Sequence, residues 1–313
     1  MNGIINVYKE KGFTSFDVVA KLRGILKIKK IGHTGTLDPD AEGVLPVCIG
    51  NATKLCDMLM DKSKEYVAQM RLGIVTDTQD MTGAILSEKE VQCSEEQVRE
   101  AVLSFVGEYG QVPPMYSALK VNGQKLCDLA RQGKEVERAA RMVQIHEIEI
   151  QSVELPVVTM RVHCSKGTYI RTLCQDIGEK LGCGACMQSL VRTRVDRFVL
   201  KEAKKLSEIE KYRDEERLTE LVVPVDAVFE MYPAVYSKPE AAKLLDNGNP
   251  LYPGQTDMPP ELRAEWKDGQ KVRVYNAQKV FCGIYAYHEK EKRLKPEKMF
   301  YVPEQEIKKN GTP

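Results

Sequence analysis

The order in which strand-like and helix-like patterns follow one another limits the fold of this chain more than any other feature. KEYVAQMRLG (Lys64 to Gly73) alternates with a period of two and puts Tyr66, Ala68, Met70 and Leu72 on one face of a predicted strand. RMVQIHEIEIQSVEL and VVTMRVHCSKG read as two more strands, the second closing on a Ser-Lys-Gly turn. VLPVCIG (Val44 to Gly50) is short, apolar and bounded by glycine, which suits a buried strand or a short packed segment. Helical spacing runs from Ser15 to Lys27: Phe16, Val18, Val19, Leu22, Ile25 and Leu26 form the apolar set, and Ser15 is the expected cap. A second helix opens with Ser94 and Gln97 in capping-box positions. A third carries Ile170, Leu173, Cys174, Ile177 and Leu181, with Gly182 just beyond as a stop signal. A parallel sheet would need regular strand–helix alternation. The irregular interleaving here predicts an α+β fold with a mixed, largely antiparallel sheet.

Toward the C-terminus the texture changes. Lys201 to about Leu221 is charged and helical, a cover or connector, and PEAAKLLDNG is a short helix between Pro239 and Gly248. QKVRVYN and KVFCGIYAYH read as strands. The expected division is a main domain over 1–231 and a small β-rich domain over 232–313, which a chain of 313 residues, 42% hydrophobic and 29% charged, can fill. No stretch approaches the ~18 apolar residues of a membrane helix, and the N-terminus lacks the charged-then-apolar pattern of a signal peptide. The expected location is therefore the cytoplasm, where the nine irregularly spaced cysteines would stay reduced. The one close pair, Cys183 and Cys186 in CGAC, has no second CxxC or HxxxH to complete a zinc site of about four ligands. Packing in a tight glycine-rich segment is the simpler reading.

GHTGTLDPDAEG (Gly32 to Gly43) sets three acids, Asp38, Asp40 and Glu42, among glycines, a proline and His33. As a calcium loop it would need a bidentate acid at its twelfth position, where Ile49 stands. As a surface turn it is ordinary, since Asp-Pro and Glu-Gly punctuate many turns. The third reading is a single reactive carboxylate. Pro39 biases Asp38 toward an extended backbone and Gly35 permits a turn closed to most residues, so Asp38 would point in a defined direction.

GHTGTLDPDAEGVLPVCIGNATKL, preceded by VYKEKGFTSFDVV, resembles the signature of the bacterial TruB family, tRNA pseudouridine synthases that act on uridine 55 of the T loop. KEYVAQMRLGIVTDTQDMTG, QVPPMYSALKVNGQKLCDLARQGKEVER and SKGTYIRTLCQDIGEKLG resemble further segments of that family, in the family's order. The likeness spans Met1 to about Phe198, and the region after it looks like a reduced RNA-binding domain of the PUA type.

The resemblance implies a pseudouridine synthase fold and an isomerisation. The N1–C1′ bond of uridine breaks, the freed base turns, and it rejoins through C5. Neither redox change nor group transfer is involved, so no cofactor and no metal are expected. The family's aspartate corresponds to Asp38, the expected nucleophile. Its arginine corresponds to Arg171, a helix residue off the apolar stripe that by pattern alone would be solvated; a cation there would keep a desolvated carboxylate ionised. Tyr66 matches the tyrosine that stacks on the base, and Tyr169 a second tyrosine lining the uridine site. His33 matches a histidine that takes the place of the flipped base, and Leu190 an apolar residue of the uracil pocket. Asp80 is expected in a polar network nearby. The tRNA T arm is the expected partner, bound by a monomer with no obligatory protein partner and no membrane. With a net charge of +1, phosphate contacts must come from local clusters. KLRGILKIKK (Lys21 to Lys30) and RQGKEVERAAR (Arg131 to Arg141) are the candidates, although either also reads as a solvated face.

Departures from the family pattern fall on Cys186, where histidine is common, on Asp196 in place of a glycine, and on RAAR, which lacks a proline. Three rivals remain distinct: a guide-RNA-dependent pseudouridylase, a non-catalytic RNA-binding or RNA-folding protein, and a glycosidase. The last would need a second acid at a set separation.

Overall fold

The computed structural model describes residues 1–258 and 266–301. Its main body is a ten-stranded mixed sheet. From edge to edge run Val222–Val223, Gly3–Lys9, Glu42–Ile49, Ala185–Val195, Lys64–Leu72, Val157–Cys164, Arg141–Glu154 and Gly107–Gln111, with Ile31–His33 and Phe198–Val199 attached to the third and fourth. All these pairings are antiparallel except that of Ala185–Val195 with Glu42–Ile49. Lys64–Leu72 alternates buried and half-buried along its whole length, as its period of two predicts.

The helix Ile170–Lys180 lies on one face and shares a core with Met70, Val162 and Met160 of the sheet. It comes close because Gly178 has no side chain: a Cβ there would sit 2.2 Å from the Ala185 nitrogen. The CGAC segment is part of this packing, with Cys183 and Cys186 both buried.

The helix Ser15–Leu26 covers another part of the sheet with Val18, Val19, Leu22 and Ile25. Each such side chain taken out of water contributes about 2 kcal/mol. Two expectations for this helix fail. Thr14, not Ser15, is the cap, in a box with Asp17; the Ser15 hydroxyl instead accepts from the Leu37 nitrogen at 2.9 Å. Phe16, placed in the apolar set by spacing, is 66% exposed. Between Lys201 and Leu221 only Leu206–Asp214 is α-helical, flanked by 3-10 turns, and it does cover the sheet through Leu206 and Ile209.

A second sheet of five strands runs Thr256–Asp257, Ala234–Ser237, Lys271–Tyr275, Phe281–His288 and Arg293–Met299. It docks on the main body through Phe229, whose ring lies 5.9 Å from that of Phe300. Lys54 and Asn51 also donate to the carbonyls of Met299 and Phe300. No helix of the described residues is long and apolar enough to cross a membrane.

Candidate active site

Asp38 sits in the loop between Ile31–His33 and Glu42–Ile49, two strands paired antiparallel with His33 opposite Val47. The loop is held from four sides. Ser15 binds Leu37; the Gly12 nitrogen donates to the Pro39 carbonyl at 2.9 Å. Lys9, fully buried at the end of the first strand, donates to the carbonyls of Pro39 at 2.9 Å and Ala41 at 2.5 Å. Arg192, also buried, donates to the carbonyls of Val44 at 2.7 Å and Gly35 at 3.2 Å. Gly35 has a φ of +135°, so the turn expected there does need glycine.

The Asp38 carboxylate meets the fork of Arg171, with Nε 3.0 Å from Oδ2 and Nη2 3.4 Å from Oδ1. Arg171 is not the solvated residue that its helix position suggests, being 4% exposed. Its remaining donors go to the carbonyls of Thr78 at 2.9 Å and Tyr116 at 2.8 Å. Asp80 stands behind it, 3.8 Å from Nη1, and accepts at Oδ1 from the hydroxyls of Thr78 and Thr82. Asp38 keeps 39% of its side chain open. Desolvation pushes its pKa above the ordinary carboxylate value; Arg171 opposes that, Asp80 adds to it, and Lys9 again opposes it.

Tyr66 and Leu190 come from the adjacent strands Lys64–Leu72 and Ala185–Val195, where Leu190 pairs with Ala68 and Arg192 with Tyr66. Burial drives the Tyr66 phenol up to about 12, against the pull of the neighbouring Arg192 guanidinium. Tyr169 caps the helix Ile170–Lys180. The Gln111 amide pins its backbone, accepting from the Tyr169 nitrogen at 2.7 Å and donating to its carbonyl at 3.0 Å.

A cavity of about 340 Å³ joins these groups, with Asp38, Tyr66, Tyr169, Arg171 and Leu190 all in its wall. Leu37, Leu119 and Ile170 add apolar surface, and Lys64 and Ser117 polar groups. The sixth expected residue, His33, lies outside this lining. Its Nδ1 accepts from the Gly35 nitrogen at 3.3 Å, and desolvation, helped by Arg192, lowers its pKa. That shift favours the neutral imidazole. Among the described residues, no three His, Cys, Asp or Glu side chains are grouped to hold a metal.

Sequence reasoning missed Arg192, Lys9 and Gln111. Lys9 ends an apolar strand, Arg192 lies inside one and Gln111 ends the polar strand Gly107–Gln111, and the pattern alone suggests that each is exposed. The missed signal was the strand context itself. Lys9 follows Val7, and Arg192 follows Leu190, at the two-residue spacing of one strand face, and a charge on a buried face must find partners or not be there.

A carboxylate locked to an arginine beside a base-sized cavity, on a mixed sheet of this order, defines an enzyme of the pseudouridine synthase kind. The chain belongs to the TruB family. The TruB family pseudouridylate synthase N-terminal domain matches residues 23–170, and the tRNA pseudouridylate synthase B C-terminal domain matches residues 171–230. The tRNA pseudouridine synthase B of Lachnoclostridium phytofermentans is 56% identical over 308 residues, covering 96% of this chain and all of the relative. That of Clostridium acetobutylicum is 48% identical, covering 91% of this chain and 95% of the relative. Among solved structures, an H/ACA RNP bound to a substrate RNA containing 2′-deoxyuridine matches with a TM-score of 0.68 at 26% identity, covering 96% of this chain and 85% of that one. A Cbf5-Nop10-Gar1 complex matches equally well, with a TM-score of 0.68 at 28% identity and the same coverage of each chain. That coverage takes in the five-stranded C-terminal sheet, which is PUA-like.

Proposed function

We propose that this chain isomerises uridine to pseudouridine in tRNA, at uridine 55 of the T loop, with Asp38 as nucleophile. The observation that carries the reading is the Asp38–Arg171 fork in the wall of a cavity shared with Tyr66, Tyr169 and Leu190.

The target base has to leave the RNA stack before its glycosidic bond can be reached, at a cost of a few kcal/mol. Tyr66, Tyr169 and Leu190 then give the base a surface to stack and pack on. A phenol raised to about 12 is a poor proton acceptor at neutral pH, so stacking is the role assigned to Tyr66. The carboxylate of Asp38 attacks the bound nucleoside, N1–C1′ breaks, the base turns, and C5 bonds to C1′. The C5 proton leaves to solvent, N1 takes up a proton in its place, and the bond to Asp38 breaks to free the carboxylate, so the product is an isomer of the substrate. Because desolvation works against the Asp38 anion, the cations around it are part of the chemistry. Arg171 orients the carboxylate and Lys9 adds positive charge behind it. Neutral His33 is assigned to the gap that the extruded base leaves in the loop.

The relatives named tRNA pseudouridine synthase B support tRNA as substrate. The reading takes the protein as a cytoplasmic monomer acting without a guide RNA or protein partner. Residues 1–231 are assigned to catalysis and 232–313 to RNA binding. The test is to incubate the purified chain alone with an unmodified tRNA transcript and map pseudouridine by carbodiimide labelling and primer extension. The expected result is one modified site, uridine 55, and none in a transcript carrying cytidine there. Modification elsewhere, or only after a guide RNA is added, would overturn the reading.

A further inference from the structure

We propose that the solvent face of the helix Ser15–Leu26 is an RNA-docking surface in which Phe16 is a stacking platform for a loop nucleobase outside the cavity. The inference rests on the tRNA reading above and assigns a surface to that substrate.

Phe16 is 66% exposed on the first turn of the helix, while Val18, Val19 and Leu22 supply the buried face. Nothing in the hydrophobic core needs a ring there. The ring has a cation beside it: the Arg23 guanidinium lies 6.0 Å from its centroid. That cation is staked in place, because Arg23 Nε donates to the Lys29 carbonyl at 3.1 Å and Nη2 to that of Ile31 at 3.5 Å. A second pair lies alongside, with Lys21 Nζ 4.5 Å from the Phe13 ring.

The segment is tied to the catalytic loop. Gly12 donates to Pro39 and Ser15 accepts from Leu37, the two residues that flank Asp38. A base stacked on Phe16 therefore bears on an element bonded directly to the nucleophile's loop.

The charge around the ring has one sign. Lys11, Lys21, Arg23, Lys27, Lys29 and Lys30 are exposed within this stretch, against the single acid Asp17. Even Asp17 is engaged, accepting from the Thr14 nitrogen at 2.8 Å and the Thr14 hydroxyl at 2.6 Å. In a chain with a net charge of +1 this is a concentrated positive field. An accessible aromatic ring with a fixed guanidinium, set in that field, matches the chemistry of an RNA loop: splayed bases stack and phosphates pair. A lipid surface would use the charges but calls for a broad apolar face, and the apolar face of this helix is buried.

The experiment measures binding of unmodified tRNA to the full-length chain, with kcat and KM from multiple-turnover assays. Phe16→Ala is expected to weaken binding about 5- to 100-fold, with kcat at saturating tRNA within about twofold of wild type, and Phe16→Trp to restore it. Arg23→Gln is expected to flatten the plot of log affinity against log salt by about 0.7–0.9. Phe16 is exposed, so loss of folding does not confuse the result. If wild type makes pseudouridine and Phe16→Ala binds tRNA as tightly as wild type, the docking surface is overturned and the activity stands. If wild type makes no pseudouridine, the functional reading fails whatever Phe16 does. If wild type binds phosphatidylserine vesicles, and Phe16→Ala loses only that binding, the face belongs to a membrane and the proposal is overturned.

Discussion

Arg171→Lys keeps the charge beside Asp38 and removes the fork. Arg171 serves four acceptors: the Thr78 and Tyr116 carbonyls at 2.9 and 2.8 Å, and the two Asp38 oxygens at 3.0 and 3.4 Å. A lysine ammonium has three donors radiating from one atom, and cannot reach both carbonyls and both carboxylate oxygens. At least one buried hydrogen bond to a charged group is lost, worth about 1.5–3 kcal/mol. For a chain of this size that lowers the melting temperature by roughly 2–5 °C. The catalytic effect is larger, because the carboxylate loses its fixed direction; a misplacement of about 1 Å costs on the order of 100-fold in rate. The assay is single-turnover pseudouridine formation at saturating enzyme, run beside thermal denaturation. The comparison is Arg171→Met, which also removes the charge that holds the Asp38 pKa down, so the acid limb of its rate profile moves to higher pH. Arg171→Lys keeps the limb in place and lowers the plateau. A folded Arg171→Lys within about threefold of the wild-type rate would refute the orientation argument.

Other outcomes follow from the same geometry. Burial lowers Lys9 to about 8 from 10.5, and Lys64 likewise to about 8. Between those values the unfolded chain holds protons that the folded chain has released, so the stability contribution of these lysines rises with pH across that window. Activity should move the other way, because a neutral Lys9 has two donors for the Glu10, Pro39 and Ala41 carbonyls and no charge for Asp38; a pH–rate profile should show an alkaline limb near 8 that Lys9→Met flattens. Gly43→Ala would put a Cβ 2.3 Å from the Arg192 carbonyl oxygen at a φ of +104°, so denaturant unfolding should register a loss of about 3 kcal/mol or more. Gly24→Ala, with nothing within 4 Å of the new Cβ on an exposed helix face, should instead stabilise by about 0.5–1 kcal/mol. Gln111→Leu leaves the Tyr169 backbone nitrogen without a partner, about 1–3 kcal/mol, and its carbonyl with the Leu173 nitrogen alone, and should lower kcat by displacing the start of the helix that carries Arg171.

Much of this architecture was legible because one side of each element is buried. The alternation through Tyr66, Ala68, Met70 and Leu72 survives intact as Lys64–Leu72, and Ser94 with Gln97 forms the capping box that its spacing implies. Spacing could not tell which apolar residue of Ser15–Leu26 would face water, so Phe16 was misplaced. Nor could it choose between adjacent hydroxyls; the Thr14–Asp17 interval was the better cap signal, freeing Ser15 to hold Leu37. The acidic loop remained ambiguous on its own. What makes Asp38 singular is Arg171, 133 residues away in sequence, together with two buried cations that local pattern reads as solvated. Strand order, not sequence proximity, assembles the cavity. Lys64–Leu72 lies between Ala185–Val195 and Val157–Cys164, which brings Tyr66, Leu190 and the helix after Cys164 to one place.

The most direct test of the account is tritium release from an unmodified tRNA transcript labelled at C5 of its uridines, comparing the wild-type chain with Asp38→Asn. The substitution keeps the shape of the side chain and removes the nucleophile. Stoichiometric release by the wild type and none by the variant, with tRNA binding retained by both, is the predicted result. Release by Asp38→Asn at a rate comparable to wild type would contradict the assignment of Asp38.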